Sequence, residues 1–188
     1  GAKPNVVFFF IDDMGWTDLG YMGSKYYESP HVDKLAKQGM VFMNAYANAP
    51  NCAPSRACLM SGKYSPRHGV YTVANSDRGS SKHRKLIPIK NTIHLAEKFV
   101  TMAEALQAGG YVTATMGKWH LGDDPTTQGF DVNVAGKSWG SPSGGGYHSP
   151  YKYPNLENKE KGEYLTDRLS LEACKFIEKN KDKPFFLY

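Results

Sequence analysis

The chain has 188 residues, 40% hydrophobic and 22% charged, with a formal charge of +5, which suits one domain or a piece of a larger one. No apolar run approaches the roughly 18–20 residues that span a bilayer, so no transmembrane segment and no membrane partner are expected. The basic residues form no stripe interleaved with aromatics, which argues against nucleic acid as a partner.

The one basic cluster, Lys82-His83-Arg84-Lys85, reads as a solvated loop face. Three cysteines do not suggest a disulfide framework, and Cys52 and Cys58 lack the second Cys/His pair of a zinc ribbon. The opening Gly1-Ala2-Lys3-Pro4 shows no charged segment followed by an apolar one, so a signal peptide was either removed or never present. Composition leaves the compartment and the oligomeric state open.

Asn5 to Ile11 is a continuous β-branched and aromatic run, the pattern of a strand covered on both faces of a parallel sheet. It stops at Asp12-Asp13-Met14-Gly15-Trp16. Ser29-Pro30 reads as an N-cap with proline at the first helical position. Val32, Leu35 and Ala36 then form an apolar stripe, and Gly39 ends the helix. Val41-Phe42 opens another extended piece. Pro54 opens a second helix, which stops at Gly62.

Residues 71 to 92 are polar and irregular. Thr101-Met102-Ala103-Glu104 is a capping box, starting a helix that ends at Gly109-Gly110. Tyr111 to Met116 alternates as a strand does and leads into Gly117-Lys118-Trp119-His120. Gly136 to Pro154 is a long Gly/Ser/Pro/Tyr-rich loop of the kind that lines sites. Its Trp139, Tyr147 and Tyr151 either stack on a sugar ring or simply pack. Thr166-Asp167 caps a last helix with Leu169, Ala173, Phe176 and Ile177 inward, and Pro184 to Tyr188 begins a buried strand. Alternating strands and helices predict an α/β sandwich with a largely parallel central sheet between helices.

Three groups carry chemistry. Asp12 and Asp13 directly follow a strand, where ligands of open α/β sheets sit. Two adjacent carboxylates there are reconciled by a hard divalent cation, or else they are solvated turn residues. Cys52 lies just before the helix predicted from Pro54, where amide dipoles favour an anion and a thiolate. Arg56, four residues on, is able to face that anion with a planar fork. The Cys52–Arg56 spacing is too short for a tyrosine-phosphatase loop, and a packed helix-start thiol is the plain alternative. Lys118 and His120 close a third strand end, one a point charge for an oxyanion and the other a proton donor to a leaving oxygen. His68 reads as a structural loop residue.

In order along the chain, Asp12-Asp13-Met14-Gly15-Trp16, Ser29 to Ala36, Phe42-Met43-Asn44-Ala45-Tyr46, Cys52-Ala53-Pro54-Ser55-Arg56 with Leu59-Met60-Ser61-Gly62, and Gly110-Tyr111 through Gly117-Lys118-Trp119-His120 resemble the N-terminal part of the formylglycine-dependent, type I sulfatases. The likeness covers nearly all of the chain. It implies an alkaline-phosphatase-like fold, with residues 1–188 as the N-terminal portion of one catalytic domain whose C-terminal remainder is not in this sequence. It also implies a sulfuric ester hydrolase, acting on a sulfated small molecule or glycan in an extracytoplasmic compartment.

By the same resemblance, a separate formylglycine-generating enzyme oxidises Cys52. The hydrated aldehyde attacks sulfur through one hydroxyl, and deprotonation of the other expels sulfate as the aldehyde reforms. Asp12, Asp13 and modified Cys52 then ligate Ca2+, with Mg2+ the lesser choice. Arg56 steadies the formylglycine, Lys118 binds sulfate oxygens, and His120 contacts the diol or the leaving group. The family also places a polar residue in the loop near Ser138. Its later histidine, further metal ligands and lysine have no counterpart in this sequence. Three ligands cannot saturate calcium, which takes about 6–8 oxygens, so these residues alone are expected to be inactive or nearly so. A phosphoester or phosphonate hydrolase of the same superfamily, or a non-catalytic sulfated-glycan-binding relative, remains an alternative on sequence.

Overall fold

Four short parallel strands build the sheet in the computed structural model, which describes residues 3–188. Gly1 and Ala2, part of the opening read for a leader, lie outside the described residues. β1 (Val6–Val7), β2 (Val112–Met116), β3 (Val132–Val134) and β4 (Phe185–Leu187) are ordered β1-β4-β2-β3. Every pairing is parallel, with Val6 opposite Phe186, Ala114 opposite Leu187 and Met116 opposite Val134. The helices are α1 (Pro30–Gln38), α2 (Cys52–Ser61), α3 (Ser65–His68), α4 (Met102–Ala108) and α5 (Leu165–Asn180).

The chain divides into two compact units, Gly1–Phe10 with Asn48–Tyr188, and Ile11–Ala47. In the larger, β4 is central and its side chains alternate between two apolar layers. Phe186 packs with Ala53, Ala57 and Met60 of α2, Ala103 of α4, and with Trp119, Leu121 and Phe130. Phe185 and Leu187 pack on the opposite face with Phe176, Ala173 and Ile177 of α5. Helices on both faces of a parallel sheet are the predicted α/β sandwich.

The smaller unit is held by side chain–backbone bonds. Ser29 Oγ donates to Asp33 Oδ1 at 2.8 Å and accepts from Gly20 N at 2.8 Å, while Tyr21 N donates to the same carboxylate at 3.0 Å. A Cβ at Gly20 would stand 2.4 Å from Asp33 Oδ2, so a side chain there would push the carboxylate out of these bonds. Ser29 does precede α1 with Pro30 first in the helix, but its hydroxyl serves the neighbouring turn and makes no cap bond.

Several predicted boundaries shift. The run Asn5–Ile11 yields only a two-residue strand, and Phe9 and Ile11 are 83% and 52% exposed. Among the described residues β1 pairs with β4 alone, so the expected cover on both faces is not seen there. Val41-Phe42 forms no strand, and α1 buries none of its stripe. α2 begins at Cys52 rather than Pro54. Proline is tolerated in a first turn because those N–H groups have no intrahelical acceptor. α5 begins at Leu165, so Thr166 and Asp167 sit inside its first turn rather than capping it. β3 and α3, which no run of residues announced, complete the set.

The capping box stands as predicted. Thr101 Oγ1 accepts from Glu104 N at 3.1 Å, and Glu104 Oε2 accepts from Thr101 N at 2.6 Å. The loop Gly136–Pro154 is anchored by buried Tyr151 and Leu156. The segment that follows it is held by Arg168 of α5, whose Nη1 donates to Glu157 O at 2.8 Å and Glu163 Oε2 at 3.1 Å. Among the described residues, no helix is long and apolar enough to cross a membrane.

Phe186 is fully buried between α2, α4 and the Trp119–Phe130 pair. Phe186→Ala is therefore expected to lower unfolding free energy by about 3–5 kcal/mol, the usual range for a buried phenylalanine. Exposed Phe9→Ala should change it by less than about 0.5 kcal/mol. Urea unfolding of the two variants checks both.

Candidate active site

The larger unit gathers four of the six candidate residues around the start of α2 and the exit of β2. Cys52 is the first residue of α2, half-buried, behind an extended Asn51. Its place in the first helical turn keeps it beside the unpaired amides, where negative charge is favoured. Asn51 makes no cap bond; its Nδ2 donates to Thr72 Oγ1 at 3.2 Å instead.

Arg56 is 3% exposed. Its Nη1 donates to the Lys118 carbonyl at 2.6 Å and to the Tyr188 hydroxyl at 3.0 Å. The guanidinium carbon lies 5.0 Å from the Phe10 ring centroid, a cation–π seat. Arg56 thus joins the first turn of α2 to the β2 exit loop and to the end of β4. Beyond the anion-facing role expected from sequence, these hydrogen bonds brace the loop that carries Lys118.

That loop turns sharply. Gly117 has φ 97° and His120 φ 63°, and left-handed backbone at a non-glycine residue is strained unless its surroundings impose it. Trp119 is the anchor: fully buried, it meets Phe130 edge-to-face with centroids 5.6 Å apart. With Trp119 pinned inward, its two neighbours Lys118 and His120 stay half-buried. The His120 amide donates to Lys137 O at 2.9 Å. A Cβ at Gly140 would stand 2.6 Å from His120 Cε1, so the 137–140 backbone lies directly against the imidazole.

Beside Lys118 opens a pocket of about 180 Å³ at the carboxyl ends of β2 and β3. Gly117, Lys118, Ala135, Lys137, Trp139 and Thr166 are among the residues lining it. Lys137 Nζ lies 5.0 Å from the Trp139 ring centroid. Sequence reasoning flagged this loop but singled out neither Lys137 nor Gly140. Nor did it pair Tyr188 with Arg56, which are 132 residues apart. Only the fold brings such distant residues together. Ser138 Oγ donates to Asp123 Oδ1 at 2.7 Å.

Asp12 and Asp13 belong to the smaller unit. Asp12 is half-buried, and Asp13 is exposed with φ 54°. Their carboxylates are a hard, all-oxygen donor set that suits Ca2+ or Mg2+ in kind. In number the set falls short. Among the described residues, no three His, Cys, Asp or Glu side chains converge as around a metal ion.

His68 is structural, as read from sequence. It is buried, its Nδ1 accepts from Val70 N at 3.1 Å, and its Nε2 lies 3.4 Å from Cys58 Sγ. Burial holds its imidazole below the ordinary value, against a smaller opposite pull from the Lys63 backbone. A depressed imidazole leaves stability whole above about pH 6.5. Below that, the unfolded chain takes up a proton that the folded one refuses, and stability falls. Chemical denaturation at pH 7.5 and 5.5 should show this loss, and His68→Gln should flatten it. Arg56→Ala should cost at least about 1.5–3 kcal/mol by the same assay, because its bonds to Lys118 and Tyr188 involve a buried cation.

The sulfatase family profile matches residues 4–188. A protein named sulfatase from Formosa agariphila is 44% identical over 147 residues, covering 71% of this chain and 26% of its own length. The N-acetylgalactosamine-6-sulfatase of Mus musculus is 34% identical, over 98% of this chain and 38% of its own length. Among solved structures, Ps i-CgsB in complex with k-i-k-neocarrahexaose superposes with a TM-score of 0.76 at 32% identity, over 100% of this chain and 44% of that one. A second, solved with its substrate D-glucosamine-2-N,6-O-disulfate, has a TM-score of 0.70 at 31% identity, over 99% of this chain and 33% of that one. The chain therefore spans less than half the length of each of these relatives. With the profile match running from Pro4 to the last residue and the parallel sheet shared, the chain belongs to the sulfatase family and carries part of its alkaline-phosphatase-like fold.

Proposed function

We propose that these residues form the N-terminal part of the catalytic domain of a sulfuric ester hydrolase acting on sulfated carbohydrate, with residue 52 working after oxidation to formylglycine. One observation carries this reading. The buried Arg56 bonds directly to the Lys118 backbone, so a nucleophile position at a helix N-terminus and a cationic strand-end loop are fixed as one piece. An anion site with an adjacent nucleophile is what sulfate-ester cleavage needs. Family membership selects sulfate over other anions, and the relatives named for N-acetylgalactosamine-6-sulfate and glucosamine disulfate support a carbohydrate substrate.

In this reading, the amides of the first turn of α2 and the Lys118 ammonium draw the sulfate oxygens and stabilise charge that grows on them. His120, held by the Lys137 carbonyl and by Gly140, protonates the departing alcohol oxygen. Arg56 keeps Lys118 and residue 52 in register. The hydrated aldehyde supplies one hydroxyl to attack sulfur and a second whose deprotonation expels sulfate. Asp12, Asp13 and residue 52 would hold a divalent cation, Ca2+ before Mg2+, which would favour the ionised form of an attacking oxygen. Three positions are fewer than the roughly 6–8 oxygens that calcium takes. An extracytoplasmic location belongs to the same reading.

The oxidation itself needs a formylglycine-generating enzyme that reads Cys52, Pro54 and Arg56. In the folded chain Ala53, Pro54 and Arg56 are buried in α2. That enzyme must therefore meet this segment before the helix docks.

The test uses the complete protein made together with a formylglycine-generating enzyme. Peptide mass at residue 52 should show aldehyde or diol, and 4-nitrophenyl sulfate should be turned over faster than 4-nitrophenyl phosphate. Cys52→Ala should lower kcat/KM for the sulfate on the order of 10³-fold or more, as loss of a nucleophile does. An unmodified thiol in an active enzyme, or a preference for phosphate, would sink the proposal.

A further inference from the structure

The pocket beside Lys118 has a second cation. Lys118 and Lys137 line the same cavity, with Ser141 and Thr166 as hydroxyl-bearing walls. An anionic group in this cavity would meet a basic residue from each of two loops. The volume, about 180 Å³, is below the roughly 300–1,000 Å³ of pockets for drug-sized ligands. It suits one ring or one charged substituent.

Lys137 is held in place rather than left to sweep. Its Nζ sits over the Trp139 ring. Trp139 meets Tyr153 at 5.8 Å in an edge-on contact, and the Tyr153 hydroxyl donates to Pro142 O at 3.0 Å. A Cβ at Gly144 would lie 3.0 Å from Trp139 Cδ2, so backbone also crowds the indole. With Lys137, Tyr153 and Gly144 against it, Trp139 is packed as a platform. Of the two roles left open by sequence, this packing is the one its contacts describe, and it positions a lysine. Among the described residues, no carboxylate forms an ion pair with Lys137.

We propose that Lys137, positioned by Trp139, is a specificity residue that binds a second anionic group of the substrate, a sulfate or carboxylate on the sugar next to the ester being cleaved. The inference rests on the sulfate-ester reading above and narrows its substrate class to polyanionic saccharides. No bond changes at Lys137. Its contribution is to affinity, by a charge-assisted hydrogen bond and by Coulomb attraction.

The experiment compares matched mono- and disulfated disaccharides on the complete, oxidised protein. The quantity read is the selectivity ratio, kcat/KM for the disulfated over the monosulfated substrate. One charge-assisted contact corresponds to roughly tenfold or more in affinity. Lys137→Ala should therefore cut the ratio about tenfold, chiefly through KM. Lys137→Glu should cut it further. Trp139→Ala should follow Lys137→Ala, while Trp139→Phe, which keeps a ring under the ammonium, should restore most of the ratio. An unchanged ratio in Lys137→Ala and Lys137→Glu would overturn the proposal. Calorimetric binding of the same two saccharides separates the two layers of inference. If the wild-type protein turns over no sulfate ester, the hydrolase reading fails. The role of Lys137 then stands or falls on whether binding prefers the disulfated sugar and loses that preference in Lys137→Ala.

Discussion

A buried guanidinium is costly to desolvate, and the structure around it is arranged to meet that cost. Arg56 bonds to a carbonyl from the β2 exit and a phenol from the end of β4, and lies against an aromatic face just past β1. These groups come from parts of the chain that share no local sequence. Satisfying one cation therefore fixes the start of α2 against three strand ends at once. The aromatic cluster reinforces the same corner. Tyr188 lies 5.9 Å from Phe8, 6.2 Å from Phe10 and 6.2 Å from Phe130. A lysine in place of Arg56 would keep the charge but lose the planar surface that rests on Phe10.

This corner also explains how a short loop can present two functional side chains with little freedom. Gly117 takes left-handed backbone freely for want of a Cβ, whereas His120 takes it only under constraint. The compensation is the burial of Trp119 and the hydrogen bond from Arg56 to Lys118 between those two residues. Backbone strain is thus held by one apolar peg and one polar clasp, and Lys118 and His120 flank the peg. On the far side of α2, buried Cys58 and His68 serve a different purpose, tying the helix to α3.

Much of this was legible where local chemistry decides the outcome. The capping box, the glycine stop at Gly62, the alternation of β2 and the dense apolar run of β4 are all local, and each appears where expected. The misread elements are those that depend on partners. The Asn5–Ile11 run carries the composition of a central strand, yet burial comes from neighbours, and among the described residues β1 has one. β3 is only three residues long, too short for periodicity to register. It forms because β2 offers it an edge. Cys52 and Arg56 were legible as residue types at a helix start, whereas the partners of Arg56 were not, since Lys118 and Tyr188 are 62 and 132 residues away.

The parallel register is what brings the exits of β2 and β3 together. Met116 pairs with Val134, and the Gly117 amide donates to Val134 O at 2.9 Å. Both strands therefore end side by side, each followed by a left-handed residue, Gly117 at φ 97° and Ala135 at φ 66°. Two parallel chains that turn at the same level carry their next residues to one place, so Lys118 and Lys137 come to line a single pocket. An antiparallel pair would have put these exits at opposite ends of the sheet. The two loops nevertheless differ in what constrains them. The β2 exit is held by the buried Arg56 and Trp119, so changes there disturb the core. The β3 exit is held by an indole, a tyrosine and glycines, and it holds the β2 exit in turn, since Lys137 O accepts from the His120 amide and Gly140 lies against that imidazole. The two strand ends are thus coupled through backbone, and a change in either loop reaches the pocket that both line.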